Sequence, residues 1–197
     1  MQKRIISWLV VLCMLLTLVP SVTVHVVAAG IPEDAVEFNG SYYKIYDDSM
    51  TWTEAKAFCE ELGGRLVTIT SQAESDFLVE QLSNASKNCY WIGVQYLETD
   101  SHWELVNGGT VPFFNWAPNE PNFFEGNQEY YVHLFGKRYT GGKGIKEVEH
   151  WNDVTNEGVA YANEFYALKN FGFICEWGEE MVISIDDLVE FKGHYYK

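Results

Sequence analysis

The first half of the chain carries two clear helical stripes set between short strand-like runs. Residues 38–46 alternate around Asn39-Gly40, the strongest two-residue signal for a β-hairpin. Thr51-Trp52-Thr53-Glu54 has the form of a capping box. Trp52, Ala55, Cys59 and Leu62 follow at helical spacing until Gly63-Gly64 ends the run, which predicts a helix with Cys59 on its buried stripe. After a short strand-like run at 66–69, Ser71-Gln72-Ala73-Glu74 repeats the capping form and predicts a second helix burying Phe77, Leu78 and Leu82.

From Lys87 the pattern changes to short aromatic and β-branched runs separated by Gly, Asn and Pro. Residues 90–94, 103–106, 113–116, 130–134 and 171–177 are expected to be strands. Residues 115–128 and 136–170 read as loops without regular structure, too long to be mere connections. Helices early and strands late predict an α+β domain.

The two ends of the chain have separate readings. Lys3 and Arg4 precede an apolar run at 5–19, and Ala28 and Ala29 follow, so residues 1–29 are expected to be a signal peptide. An uncleaved segment would instead tether the chain to a membrane. At the other end, residues 189–197 repeat residues 36–44 at seven of nine positions with an offset of 153. This predicts a domain over 30–178, a linker over 179–188, and the start of a truncated second repeat over 189–197.

Loss of Lys3 and Arg4 leaves 11 basic residues against 28 acidic ones. So acidic a surface disfavours nucleic acid and anionic membrane as partners. The expected location is extracellular, secreted or at the cell surface. Three cysteines remain after Ala29, namely Cys59, Cys89 and Cys175, and spacing alone does not say which two pair.

Two polar clusters stand out in the long loops, Glu120-Pro121-Asn122 and Trp151-Asn152-Asp153, with Glu129 between them. Their side chains are hard oxygen donors of the kind that suit Ca²⁺. A hydroxyl held in such a set accepts from an amide and donates to a carboxylate, and Glu120 with Asn122 and Glu129 with Asn152 supply both functions. Asp153 adds charge and a backbone carbonyl. No nucleophile–base pair, phosphate-binding glycine loop or zinc spacing is present, so no enzyme is predicted.

In their order along the chain, these motifs resemble the C-type lectin-like domain family. The resemblance runs through Trp52-x-Glu54-Ala55, Cys59, Gly63-Gly64-x-Leu66-Val67-x-Ile69, Trp91-Ile92-Gly93-Val94, Glu120-Pro121-Asn122, Trp151-Asn152-Asp153 and Phe173-Ile174-Cys175-Glu176. It implies two helices with small antiparallel sheets, a long calcium-binding loop region, and a disulfide between Cys59 and Cys175. It also implies that Glu120, Asn122, Glu129, Asn152 and Asp153 bind both Ca²⁺ and carbohydrate. The Glu-Pro-Asn order is similar to that of members selecting mannose, glucose or N-acetylglucosamine. The family's second disulfide is missing, since Tyr131 and Asn156 fall where its cysteines would be; Cys89 matches no family cysteine.

The function expected is therefore calcium-dependent binding of glycans or glycoproteins, with tandem or oligomeric presentation raising weak single-site affinity. The competing expectation is an extracellular protein-binding or adhesion module in which calcium only stiffens the loops. The insertion at 136–150, with Lys137, Arg138, Lys143 and Lys146, reads as a solvated turn or a contact for an acidic glycan.

Overall fold

A computed structural model describes residues 23–26, 30–124, 128–141, 145–158, 164–178, 181–184, 189–191 and 194–196. Its strands are β1 (Thr23–Val26), β2 (Val36–Phe38), β3 (Ser41–Tyr46), β4 (Arg65–Leu66), β5 (Cys89–Leu97) and β6 (His102–Leu105). They continue as β7 (Tyr131–Phe135), β8 (Trp151–Val154), β9 (Phe171–Trp177), β10 (Met181–Ser184), β11 (Val189–Phe191) and β12 (His194–Tyr196). Two helices, α1 (Trp52–Glu61) and α2 (Gln72–Gln81), lie between β3 and β5. The fold is α+β, as expected.

The chain divides into two compact units, and residues 28–179 form the larger. Its strands run in the order β2-β3-β9-β5-β7-β8, with β4 added beside β9 and β6 beside β5. All pairings are antiparallel except β5 with β9, which is parallel. In the smaller unit β1 pairs antiparallel with β10, and β11 pairs with β12. The expected signal peptide lies outside the described residues apart from the strand β1, and the expected linker includes the strand β10. Among the described residues no helix is long and apolar enough to cross a membrane. The repeated segment takes the same register as its counterpart: Val189 faces Tyr196 as Val36 faces Tyr43.

Local chemistry explains most of these elements. Asn39 and Gly40 take φ of 51° and 85°, the paired positive values that a tight hairpin turn requires. Thr51 caps α1 with both halves of the capping box made, its side chain accepting from Glu54 N and Glu54 reaching back to Thr51 N. α1 buries Trp52, Ala55 and Cys59. The second capping box forms only in half. Ser71 accepts from Glu74 N, but the Glu74 carboxylate turns inward, accepting from Thr70 N at 2.8 Å and Tyr43 Oη at 2.9 Å. Charge-assisted bonds to a buried carboxylate outweigh the exposed reciprocal cap.

Cys59 and Cys175 form the disulfide that the resemblance implied, tying α1 to β9. Cys89 is a free thiol buried at the start of β5, and burial pushes its pKa well up. Where the family's second bridge would lie, both positions instead contact the start of α1. Tyr131 packs on Trp52 at 4.7 Å, Asn156 O accepts from Trp52 N, and Asn156 Oδ1 accepts from Thr53 N. β5 passes close under the segment after β4: a Cβ on Gly93 would lie 2.5 Å from the Leu66 carbonyl oxygen.

Two expectations need correction. Residues 113–116 do not form a strand; only Trp116 makes an isolated parallel bridge, to Trp151. Trp151-Asn152-Asp153, expected in a loop, lies on β8, where all four residues are buried. Asn152 and Asp153 tolerate burial because β7 pairs their backbones, opposite His133 and Val132.

Candidate functional site

β8 is the floor on which the site is built. Trp151 N donates to Asn115 O at 2.8 Å and Ala117 N donates to Trp151 O at 2.9 Å, which lays the 115–117 segment beside the strand. The chain then turns, with Glu120 N donating to Ala117 O, and a cis Glu120–Pro121 bond follows. Beyond it, Phe123 takes a positive φ of 45° and its ring packs on Trp103 and Tyr96. That aromatic contact anchors the loop, whereas Phe124 is exposed.

Two buried carboxylates tie down the loop backbone. Asp153 accepts from Asn122 N at 3.1 Å and from Phe123 N at 2.8 Å. Glu129 accepts from Phe124 N at 2.6 Å. Three successive backbone N–H groups thus point at two acids, an arrangement that holds negative charge in place. Asn152 turns its amide to the carbonyl of Asp153 at 2.7 Å. At the rim, Asn122 Nδ2 donates to Glu120 Oε2. The structure therefore links Glu120, Asn122, Asn152 and Asp153 in one chain of contacts. Glu129 joins through Phe124, two residues along the same loop.

Electrostatics makes this crevice unusual. Glu129 is pushed up to about 7 by burial, aided by the charges of Asp153 and Glu120 and opposed by the Phe124 N–H. Burial also raises Asp153 and Glu120, the latter opposed by Lys146. Three acids so placed favour a cation nearby.

The cation present is Lys146. Its Nζ donates to Glu120 Oε1 at 2.6 Å and to Pro118 O at 2.7 Å. The two side chains are only 5 % and 7 % exposed, so the contact between ammonium and carboxylate is shielded from solvent. Lys146 reaches it from the 136–150 insertion, where its backbone makes both hydrogen bonds of a bridge to Tyr139, each 2.9 Å long. The sequence reading of this insertion, a solvated turn or a contact for an acidic glycan, does not anticipate a buried ion pair. The neighbouring pattern is inverted: Ile145 is 46 % exposed and Lys146 is 4 % exposed.

Whether the five predicted ligands fit Ca²⁺ divides into chemistry and arrangement. Three carboxylates and two amides are a suitable donor set. In this arrangement, however, one oxygen of Glu120 faces an ammonium, the other meets Asn122, and Asp153 is engaged by backbone N–H groups. Among the described residues no three His, Cys, Asp or Glu side chains gather as a metal-holding group. As arranged, the set does not fit the ion.

Comparison with known proteins gives consistent results. The family model described as Lectin C-type domain matches residues 48–160. A protein named C-type lectin from Micrurus corallinus is 32 % identical over 148 residues, covering 73 % of this chain and 81 % of that one. The chain spans 27 % of the length of one mammalian receptor that it matches and 6 % of another. Among solved structures, the carbohydrate-recognition domain of cow CD23, crystallised in the presence of GlcNAc2Man3 oligosaccharide, aligns with a TM-score of 0.57 at 26 % identity, covering 79 % of this chain and 98 % of that one. SPL-2 from Saxidomus purpuratus, titled a Ca²⁺-independent C-type lectin, aligns with a TM-score of 0.57 at 28 % identity, covering 74 % and 92 %.

Proposed function

The chain belongs to the C-type lectin domain family, and from that premise we propose that it binds carbohydrate at the crevice between Glu120 and Asp153. The observation carrying this reading is the Glu120–Asn122 pair, a carboxylate and an amide held side by side at the rim of a buried, charged floor. A sugar hydroxyl entering between them would accept from Asn122 Nδ2 and donate to Glu120, taking over the bond that the two side chains now make with each other. Glu129, Asn152 and Asp153 support the loop from below.

The Glu-Pro-Asn order favours vicinal equatorial hydroxyls, the pattern of mannose, glucose and N-acetylglucosamine. The family is generally calcium-dependent, and two similar structures carry titles stating independence from calcium. Glu120, Asn122, Glu129, Asn152 and Asp153 hold the oxygens that calcium would need, but Glu120 is committed to Lys146. Extracellular placement, by secretion or at the cell surface, and tandem presentation through a second repeat beginning at residue 189 belong to the same proposal.

The test is a glycan array probed in calcium and again in chelator. The expected result is binding to mannose-type or glucose-type structures; absence of any glycan signal in both buffers overturns the reading. One observation favours a second reading, that of a protein-binding module: Asp153 and Glu129 both serve the loop backbone. That reading expects an empty array and a loop stiffened rather than a ligand held.

A further inference from the structure

The ammonium at Glu120 is placed by the fold. A lysine in a solvated turn would keep its head in water and only its stem against the protein. Lys146 does the opposite. Its backbone is fixed to Tyr139 by two hydrogen bonds, its side chain is buried, and its head meets one carboxylate oxygen and one carbonyl oxygen. Hard oxygens from an acid and a backbone carbonyl are the donors that a bound cation would use. An ammonium has three N–H donors, and only two meet protein acceptors among the described residues.

We propose that Lys146 is the internal cation of this site, standing at Glu120 in place of a metal, so that the crevice is assembled without calcium. The proposal rests on the reading of the crevice as a glycan site. In it, Lys146 neutralises Glu120 and holds the loop through Pro118. Calcium can use Glu120 only after the ammonium withdraws, and like charge opposes the two cations sharing one carboxylate.

The experiment compares the wild-type chain with Lys146→Met, which keeps the aliphatic stem and removes the charge. Calcium binding is measured by calorimetry, and retention on mannose resin is measured in calcium and in chelator. The wild type is expected to bind no calcium in one-to-one stoichiometry below millimolar concentration and to stay on the resin in chelator. Lys146→Met is expected to gain calcium affinity by at least about tenfold, or 1.4 kcal/mol, and to elute with chelator. One-to-one submillimolar calcium binding by the wild type overturns the proposal, as does a variant that binds calcium no more tightly than the wild type. Should Lys146→Met fail to fold, Lys146→Gln replaces it, and the wild-type titration still decides. A resin and an array that capture nothing sink the glycan reading alone, because the calcium titrations judge Lys146 separately.

Discussion

His133 makes the fold sensitive to acid in a way that can be isolated. It lies on β7, fully buried, among the rings of Trp91, Phe135, Tyr166 and Phe171 at 4.8–6.4 Å. Neither ring nitrogen has a hydrogen-bond partner among the described residues, and burial drops its pKa from 6.5 to about 3. The folded value is below the unfolded one, so the unfolded chain binds the proton first. The stabilising contribution is full above pH 6.5 and is lost as the pH falls toward 3. At pH about 4.5 the unfolded imidazole is some two pH units below its pKa, so protonation favours unfolding by about 2.7 kcal/mol. The folded imidazole, still neutral there, offsets almost none of this. Urea denaturation of the wild type and His133→Phe, at pH 7 and pH 4.5, measures the term as a double difference. The constant packing cost of the phenyl ring and the titration of the buried carboxylates largely cancel. Between the two pH values the wild type should lose about 2.5 kcal/mol more than the variant, since the unfolded imidazole is already slightly protonated at pH 7. Equal losses, or an imidazole that titrates near 6.5 by NMR in the folded protein, would refute the argument.

Three further outcomes are expected. Replacing Cys59 and Cys175 by Ala opens a loop spanning 116 residues and should cost about 4.8 kcal/mol in the chain-entropy model, read by denaturant titration; peptide mapping of the native protein should leave Cys89 unpaired. Thr51→Ala removes the cap of α1 and should cost about 1 kcal/mol, with glycan retention unchanged. Asn122→Asp replaces the rim donor by an acid beside Glu120 and should abolish retention on mannose resin while circular dichroism stays native; unaltered retention would remove Asn122 from the site.

Much of the fold was legible because its local signals agree with its tertiary contacts. Asn39-Gly40 demanded a turn, the stripe from Trp52 to Cys59 faced the core, and Phe171–Trp177, apolar but for Glu176, is buried throughout. The site was legible in composition and less so in placement. Asn152 and Asp153 read as loop residues because polar side chains are uncommon on buried strands; pairing with β7 and the N–H groups of the facing loop make them tolerable there. Glu74 looked like a cap residue until Tyr43 and Thr70, distant or adjacent in sequence, supplied a better inward set of partners. Lys146 was misread for a deeper reason. Alternation around it argues for Ile145 inside and Lys146 outside, and only a buried acid from 26 residues upstream reverses that choice.

The edge of the sheet has a consequence for how such a unit travels between proteins. Val36 pairs with Tyr43, and Tyr43 pairs with Glu176, so the first and last strands of the 28–179 unit lie side by side across β3. Two strand spacings separate them, about 10 Å. A host loop with ends that far apart could receive the whole unit as a graft. The crevice, carried on β8 at the opposite end of the strand order, would remain clear of both splice points.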